Sequence, residues 1–178
     1  MVHIVAEILS LIQHIKVLND EPERYRLEYC LCCGKSGVWP HGCYPRKADR
    51  RGGLESLNPI LIQRFFCPGC RRTCSVLPEC ISPRRWYLWD EQQTALLLLL
   101  AGNSLSAVAK KIMPSRHTLK RWFTRIKEQF HLHKDVLCNH FIELGRTTNH
   151  VEFWQTFLKN NLLSFAMRLC HVAGVNIP

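Results

Sequence analysis

The chain has 178 residues, 47% of them hydrophobic, with 24 Lys and Arg against 14 Asp and Glu for a net charge of +10. That apolar content is enough for a buried core and excludes wholesale disorder; the length suits one compact domain or two small ones. The basic surplus points to a polyanionic partner, nucleic acid ahead of an anionic membrane.

In chain order, residues 2–18 read as an amphipathic helix, because Ile4, Ile8, Leu11, Ile15 and Leu18 recur at three- and four-residue steps. Asn19 to Pro22 breaks it, and Arg24 to Tyr29 alternates like a short strand. Cys30 to Cys80 is rich in Cys, Pro and Arg and has no helical period. Its middle, RKADRRGG from Arg46 to Gly53, is a charged loop, and ILIQRFF from Ile60 to Phe66 is a β-branched and aromatic strand. From Asp90 helical spacing takes over. Helices are expected at 90–101 with Gly102 as C-cap, at 105–112 with Ser104 as N-cap, and at 116–130 after the break at Pro114 and the cap at Ser115. Two more are expected at 134–144 and 149–172, the last with Val151, Trp154, Phe157, Leu158, Leu162, Phe165, Leu169 and Val172 as its apolar stripe. The longest apolar run, within TALLLLLA, is shorter than the roughly 20 residues a membrane-spanning helix needs. The N-terminus lacks the basic leader and cleavage site of a signal peptide, so a cytoplasmic protein with no membrane partner is expected.

The ten cysteines fall into close pairs, a pattern of metal binding in a reducing compartment more than of disulfides. Cys30-Leu31-Cys32-Cys33 and Cys67-Pro68-Gly69-Cys70 form two knuckles with 33 residues between them. A two-residue gap lets both thiolates of a tight turn face one ion, and two such turns close a tetrahedral site. The expected ligands are Cys30, Cys33, Cys67 and Cys70, with structural Zn2+ as cofactor because four thiolates leave no position for water. Cys32 competes with Cys33. Cys43, Cys74 and Cys80 either pack a small core or hold a second zinc. The same region is basic: Arg46, Lys47, Arg50, Arg51, Arg64, Arg71, Arg72, Arg84 and Arg85 stand against Asp49, Glu55 and Glu79. Arg71 and Arg72 are candidate phosphate contacts.

Residues 90–130 have the lengths of a helix-turn-helix. Ala95, Leu96, Leu99 and Leu100 are placed to meet Val108, Ala109 and Ile112, and these to meet Leu119, Trp122, Phe123 and Ile126. The outer side of the third helix carries Arg116, His117, Lys120, Arg121 and Arg125. Between Gly102 and Lys134 eight Lys and Arg face one Glu. Arg116, His117 and Lys120 are candidates for base edges; Lys110, Lys111, Arg121 and Arg125 suit phosphates.

The order of knuckle, Arg-containing strand, CPGCRRT, LP, SPRRWY and LSAVAKKIMPSRHTLKRWF resembles the zinc-ribbon and helix-turn-helix DNA-binding head of bacterial insertion-sequence transposases and their stand-alone relatives. The likeness covers about Tyr29 to Phe130. With the periodicities above, the expected fold is mainly α with a small β zinc ribbon: helix 1–22, ribbon 23–88, helix-turn-helix 89–131 and C-terminal helices 132–178. The likeness also implies sequence-specific binding of double-stranded DNA at element ends or a promoter, in a nucleoid-associated bacterial protein. Such transposases continue into an RNase-H-like domain with three spaced carboxylates. Here only 48 residues follow Phe130, with Asp135, Glu143 and Glu152 as their acids. The expectation is therefore a non-enzymatic accessory or regulatory factor of transposition, with a separate transposase or nuclease subunit or a second copy of the chain as protein partner. A zinc-ribbon protein-interaction adaptor and a transcriptional regulator unrelated to transposition are the alternatives. His131, His133, Cys138 and His140 form a looser cluster, read as polar helix surface before metal site; Cys170 reads as core and His171 as surface.

Overall fold

The computed structural model describes residues 2–48, 56–83 and 87–175. These form a mixed α/β chain with seven α-helices and a four-stranded sheet, divided into two compact units, Met1–Leu88 and Trp89–Pro178. Arg50, Arg51, Arg84 and Arg85 of the basic region lie outside the described residues.

The first unit holds β1 (Val2–Val5), α1 (Leu11–Asp20), β2 (Trp39–Arg46), β3 (Ile60–Cys67) and β4 (Arg72–Pro78), in sheet order β1-β4-β3-β2. The β2–β3 and β3–β4 pairs are antiparallel, and β1 lies parallel to β4 with Val2 opposite Ser75. Alternate residues of a strand face opposite sides. Accordingly Phe65, Cys74 and Val76 pack in one cluster with Ile8, Val17, Tyr25 and Leu27, while Ile60, Ile62 and Leu77 pack in another with Leu11, Cys80 and Ile81.

Two expectations fail here. The helix expected over 2–18 is a strand, a turn and a ten-residue helix. A four-residue step such as Ile4 to Ile8 is also two strand periods, and Glu7, at φ 66°, reverses the chain between them. The helix itself starts at Ser10, whose hydroxyl accepts from the Gln13 amide at 3.1 Å. The strand expected at Arg24 to Tyr29 is a 3-10 turn, Pro22–Tyr25, followed by a single bridge between Tyr29 and Ser36; Pro22 at its start presets the turn.

The second unit holds α2 (Trp89–Leu100), α3 (Leu105–Lys111), α4 (Arg116–Glu128), α5 (Phe130–Cys138), α6 (His150–Asn160) and α7 (Leu163–Val172). α2 packs on α3, α4, α6 and α7, burying Ala95, Leu96, Leu99 and Leu100. Its end is a Schellman motif: Gly102 at φ 87° donates to the Leu99 carbonyl, and Asn103 donates to Leu98. Ser104 and Ser115 cap α3 and α4, accepting from Ala107 at 3.1 Å and Thr118 at 3.3 Å. The helix expected over 116–130 stops at Gln129, and the helix expected over 134–144 begins earlier, at Phe130, and gives way after Cys138 to a 3-10 turn, Ile142–Arg146. The last expected helix is two, broken at Asn161, whose side-chain amide donates to the Phe157 carbonyl at 3.2 Å. A short polar side chain that bonds its own backbone competes with helix continuation.

Candidate metal centre and basic helix face

The first knuckle is a tight turn. Cys30 donates its amide to the Lys35 carbonyl, Gly34 at φ 69° donates to the Cys30 carbonyl, and the Cys32 amide donates to the Cys30 sulfur at 3.4 Å. The second knuckle is the β3–β4 hairpin loop, closed by the pairing of Cys67 with Arg72. Arg71 takes a left-handed φ of 57° to make that loop. Gly69 sits where any Cβ would press to 2.9 Å from Lys35 Cδ, with the Cys67 and Cys33 sulfurs 3.6 and 3.7 Å from it.

These turns bring Cys30, Cys33, Cys67 and Cys70 together, with their sulfurs all within 4.8 Å of one another. Cys30 Sγ is 3.5 Å from Cys70 Sγ, and Cys33 Sγ is 3.6 Å from Cys67 Sγ. Four thiolates about 2.3 Å from a tetrahedral zinc stand roughly 3.8 Å apart, so the spacing fits the ion and is far too long for a disulfide. Backbone amides of Cys33 and Cys32 pull the Cys30 thiol down to about 6, whereas desolvation pushes Cys70 up to about 12. A doubly charged cation would offset the desolvation cost of gathering four thiolates. The four cysteines could thus hold a metal ion, in a geometry compatible with structural zinc.

The other cysteines are placed elsewhere. Cys32 is exposed and accepts from Arg72 Nη1 at 3.3 Å. Cys43 is exposed on β2, and Cys74 and Cys80 are buried in separate clusters. Among the described residues the four-cysteine set is the one group of three or more such ligands within metal range. His131, His133, Cys138 and His140 do not converge, nor do Asp135, Glu143 and Glu152. His133 is not surface: it is fully buried on α5, edge-on to Trp154 at 5.5 Å. Cys170 is fully buried, its thiol raised to about 12 by desolvation, and His171 is half-buried.

On α4, Leu119, Trp122 and Ile126 are buried, and Arg116, His117, Lys120 and Arg121 are exposed on the other side. Lys110 and Lys111 are exposed on α3, and Arg125 is half-buried. Among the described residues no carboxylate forms an ion pair with Arg116, Lys120 or Arg121. Arg71 and Arg72 are exposed at the second knuckle. Arg46 is used structurally: its guanidinium donates to the Ser82 carbonyl at 2.6 Å, and burial lowers its pKa.

The four clustered cysteines and the capped basic helix define a chain that could bind a metal in one unit and presents an uncompensated cationic helix face in the other. Residues 30–122 match the family described as Domain of unknown function (DUF6431), over half the chain, and the protein belongs to that family. The match begins at Cys30, the first of the four clustered cysteines, and ends at the buried Trp122 of α4. It thus takes in both cysteine pairs and both helix caps, and leaves out β1, α1 and α5 to α7. A search of curated proteins finds no match, and a search of solved structures finds none.

Proposed function

We propose that the protein is a non-enzymatic, double-stranded DNA-binding factor in which Cys30, Cys33, Cys67 and Cys70 form a zinc ribbon around one structural Zn2+, and α3 and α4 form a helix-turn-helix. The observation that carries the reading is the face of α4: four exposed cationic or imidazole side chains, none balanced by a carboxylate, on a helix whose opposite side is locked into a core. Arg116 and His117 stand in its first turn and Lys120 and Arg121 one turn on, so one groove of a duplex accommodates all four. The Ser115 cap leaves the positive end of the helix dipole at that same end. Arg116, His117 and Lys120 are assigned to base edges, and Lys110, Lys111, Arg121, Arg125, Arg71 and Arg72 to phosphates. The motif order supports a role beside mobile-element transposition, as an accessory or regulatory factor that serves a separate transposase or nuclease, or as a homodimer at paired sites.

The test is duplex binding of the zinc-loaded chain measured against salt. Affinity falls steeply as salt rises, since each phosphate contact releases counterions. The double variant Lys120→Glu, Arg121→Glu loses duplex binding while zinc content and far-UV circular dichroism stay unchanged. Duplex affinity unaffected by that variant sinks the reading. It would favour the adaptor instead, for which the exposed Ile142 and Val172, at 86% and 80%, are the supporting observation.

A further inference from the structure

The sheet of the first unit presents a second cationic surface, built differently from α4. Strand register places Trp39 opposite Phe66, and Phe66 opposite Thr73. Opposed residues share a face, and Ile62, Arg64 and Phe66 alternate onto it with Tyr44, the partner of Ile62. A bulge between Pro40 and Cys43 lets His41 reach the same side, where its ring lies 5.7 Å from that of Phe66 at an interplanar angle of 36°. Arg64 stands 5.9 Å over the Tyr44 ring and donates to Thr73 Oγ1 at 3.2 Å, which holds the guanidinium against the sheet.

At its Ile60 and Ile62 end this face is covered by Leu11, Ile81 and their neighbours. Toward the cysteine end it is open: Trp39 is 60% exposed, His41 is exposed, and Phe66, Tyr44 and Arg64 are half-buried. No Asp or Glu occurs in β2, β3 or β4, whereas Arg46, Arg64 and Arg72 do, with Arg71 in the loop between β3 and β4. The core does not require a tryptophan at position 39, because most of that side chain meets water.

We propose that this face binds a single-stranded polynucleotide, stacking unpaired bases on Trp39, His41 and Phe66 while Arg64 and the knuckle arginines Arg71 and Arg72 meet the backbone phosphates. Exposed and half-buried rings beside cations, on strands that carry no acid, match a chain of π faces joined by anions; Glu23, which lines a cavity with Arg64, is balanced there by Arg26 as well. Paired bases in a duplex are already stacked and cannot offer those faces. Strand addition by a protein is disfavoured, since the free edge of β2 is interrupted by Pro40, Gly42 at φ 71° and Pro45. The surface uses none of the α4 residues and shares only Arg71 and Arg72 with the duplex reading, so its stacking residues, Trp39 above all, test it separately.

The experiment measures binding of the zinc-loaded full chain to labelled oligothymidylate and oligouridylate of about 12 nucleotides, within the usual span of such sites. An abasic deoxyribose-phosphate oligomer of equal length controls for charge alone. Trp39→Ala weakens binding to the base-bearing oligomers by roughly tenfold or more, the typical loss when one stacked base loses its ring. Trp39→Phe retains most of the affinity, and the abasic oligomer binds weakly to the parent protein. Zinc content and near-native circular dichroism in both variants show that the fold is intact. Whichever of the two base-bearing oligomers binds tighter identifies DNA or RNA as the source. Equal affinity of parent and Trp39→Ala for both oligomers overturns the proposal. So does an abasic oligomer bound as tightly as oligothymidylate. The Lys120→Glu, Arg121→Glu variant should bind oligothymidylate like the parent, so failure of duplex recognition is read separately.

Discussion

Cys32 and Cys33 are chain neighbours with opposite surroundings. Cys33 faces three other sulfurs, and Cys32 faces an arginine. Replacing Cys32 with Ser should therefore leave one zinc per chain by native mass spectrometry, while Cys30→Ser or Cys67→Ser should abolish stoichiometric binding. Zinc retained in either of the latter would refute the ligand set. His14 gives a second residue-scale prediction. It is 1% exposed, hydrogen-bonded through Nδ1 to Tyr25 Oη at 2.5 Å and through Nε2 to the Leu61 carbonyl at 3.0 Å. A carbonyl only accepts, so Nε2 carries the proton and Nδ1 accepts from the tyrosine. Desolvation holds the imidazole below its usual 6.5. The unfolded chain thus binds a proton at a higher pH than the folded one. Its contribution is full above about 6.5 and is lost as pH falls toward the folded value. The urea midpoint should drop over that acid range, and the slope should be shallower in His14→Gln; identical slopes would contradict the assignment. Zinc loss at acid pH affects both proteins alike, so their difference isolates the histidine.

At the scale of elements, α4 depends on Ser115 and on the residues it buries. Ser115→Ala removes the acceptor for the Thr118 amide and should cost about 1 kcal/mol. Leu119→Ala opens a cavity beneath a fully buried position and should cost roughly 2–5 kcal/mol. Both are readable as shifts in thermal or chemical unfolding of the helical signal, and a Leu119→Ala effect under 1 kcal/mol would show that the helix is not seated as described. Caps and cysteine pairs were legible in the sequence because their chemistry is local: a serine before a helical period, a glycine after it, two thiols two residues apart. What was not legible depends on distant partners. β1 is a strand because β4 lies beside it, and β2, with its prolines and glycine, has no strand pattern until β3 pairs with it. His133 looked like surface because a histidine on a short helix says nothing of the Trp154 that closes over it. The aromatic sheet face is invisible in the sequence for the same reason: Trp39 and Phe66 are 27 residues apart in the chain, and only strand register brings them together.

For the whole molecule, the division into two units predicts an unequal response to chelation. The cysteine site joins the β3–β4 hairpin to the first knuckle inside residues 1–88, and the α2 to α7 unit contains none of its ligands. Stripping the metal should raise amide exchange throughout β3, β4 and residues 29–36, and leave α2, α4 and α6 protected. Uniform loss of protection in both units would argue against separate cores. The pairing of β1 with β4 has a further consequence, for the ribosome. Val2 and its register partner Ser75 are made about seventy residues apart, and at 5–20 residues per second β1 waits roughly 4–15 s for its neighbour. Until the last stretch of that interval the second pair of cysteines is also unmade, since Cys67 and Cys70 only just precede Ser75. One stretch of translation, ending at β4, therefore supplies both the missing strand and the missing thiols. A pause placed before β4 has left the ribosome would lengthen the life of a nascent chain with an unpaired apolar strand and half of the cysteine set, and a pause after β4 has emerged would not.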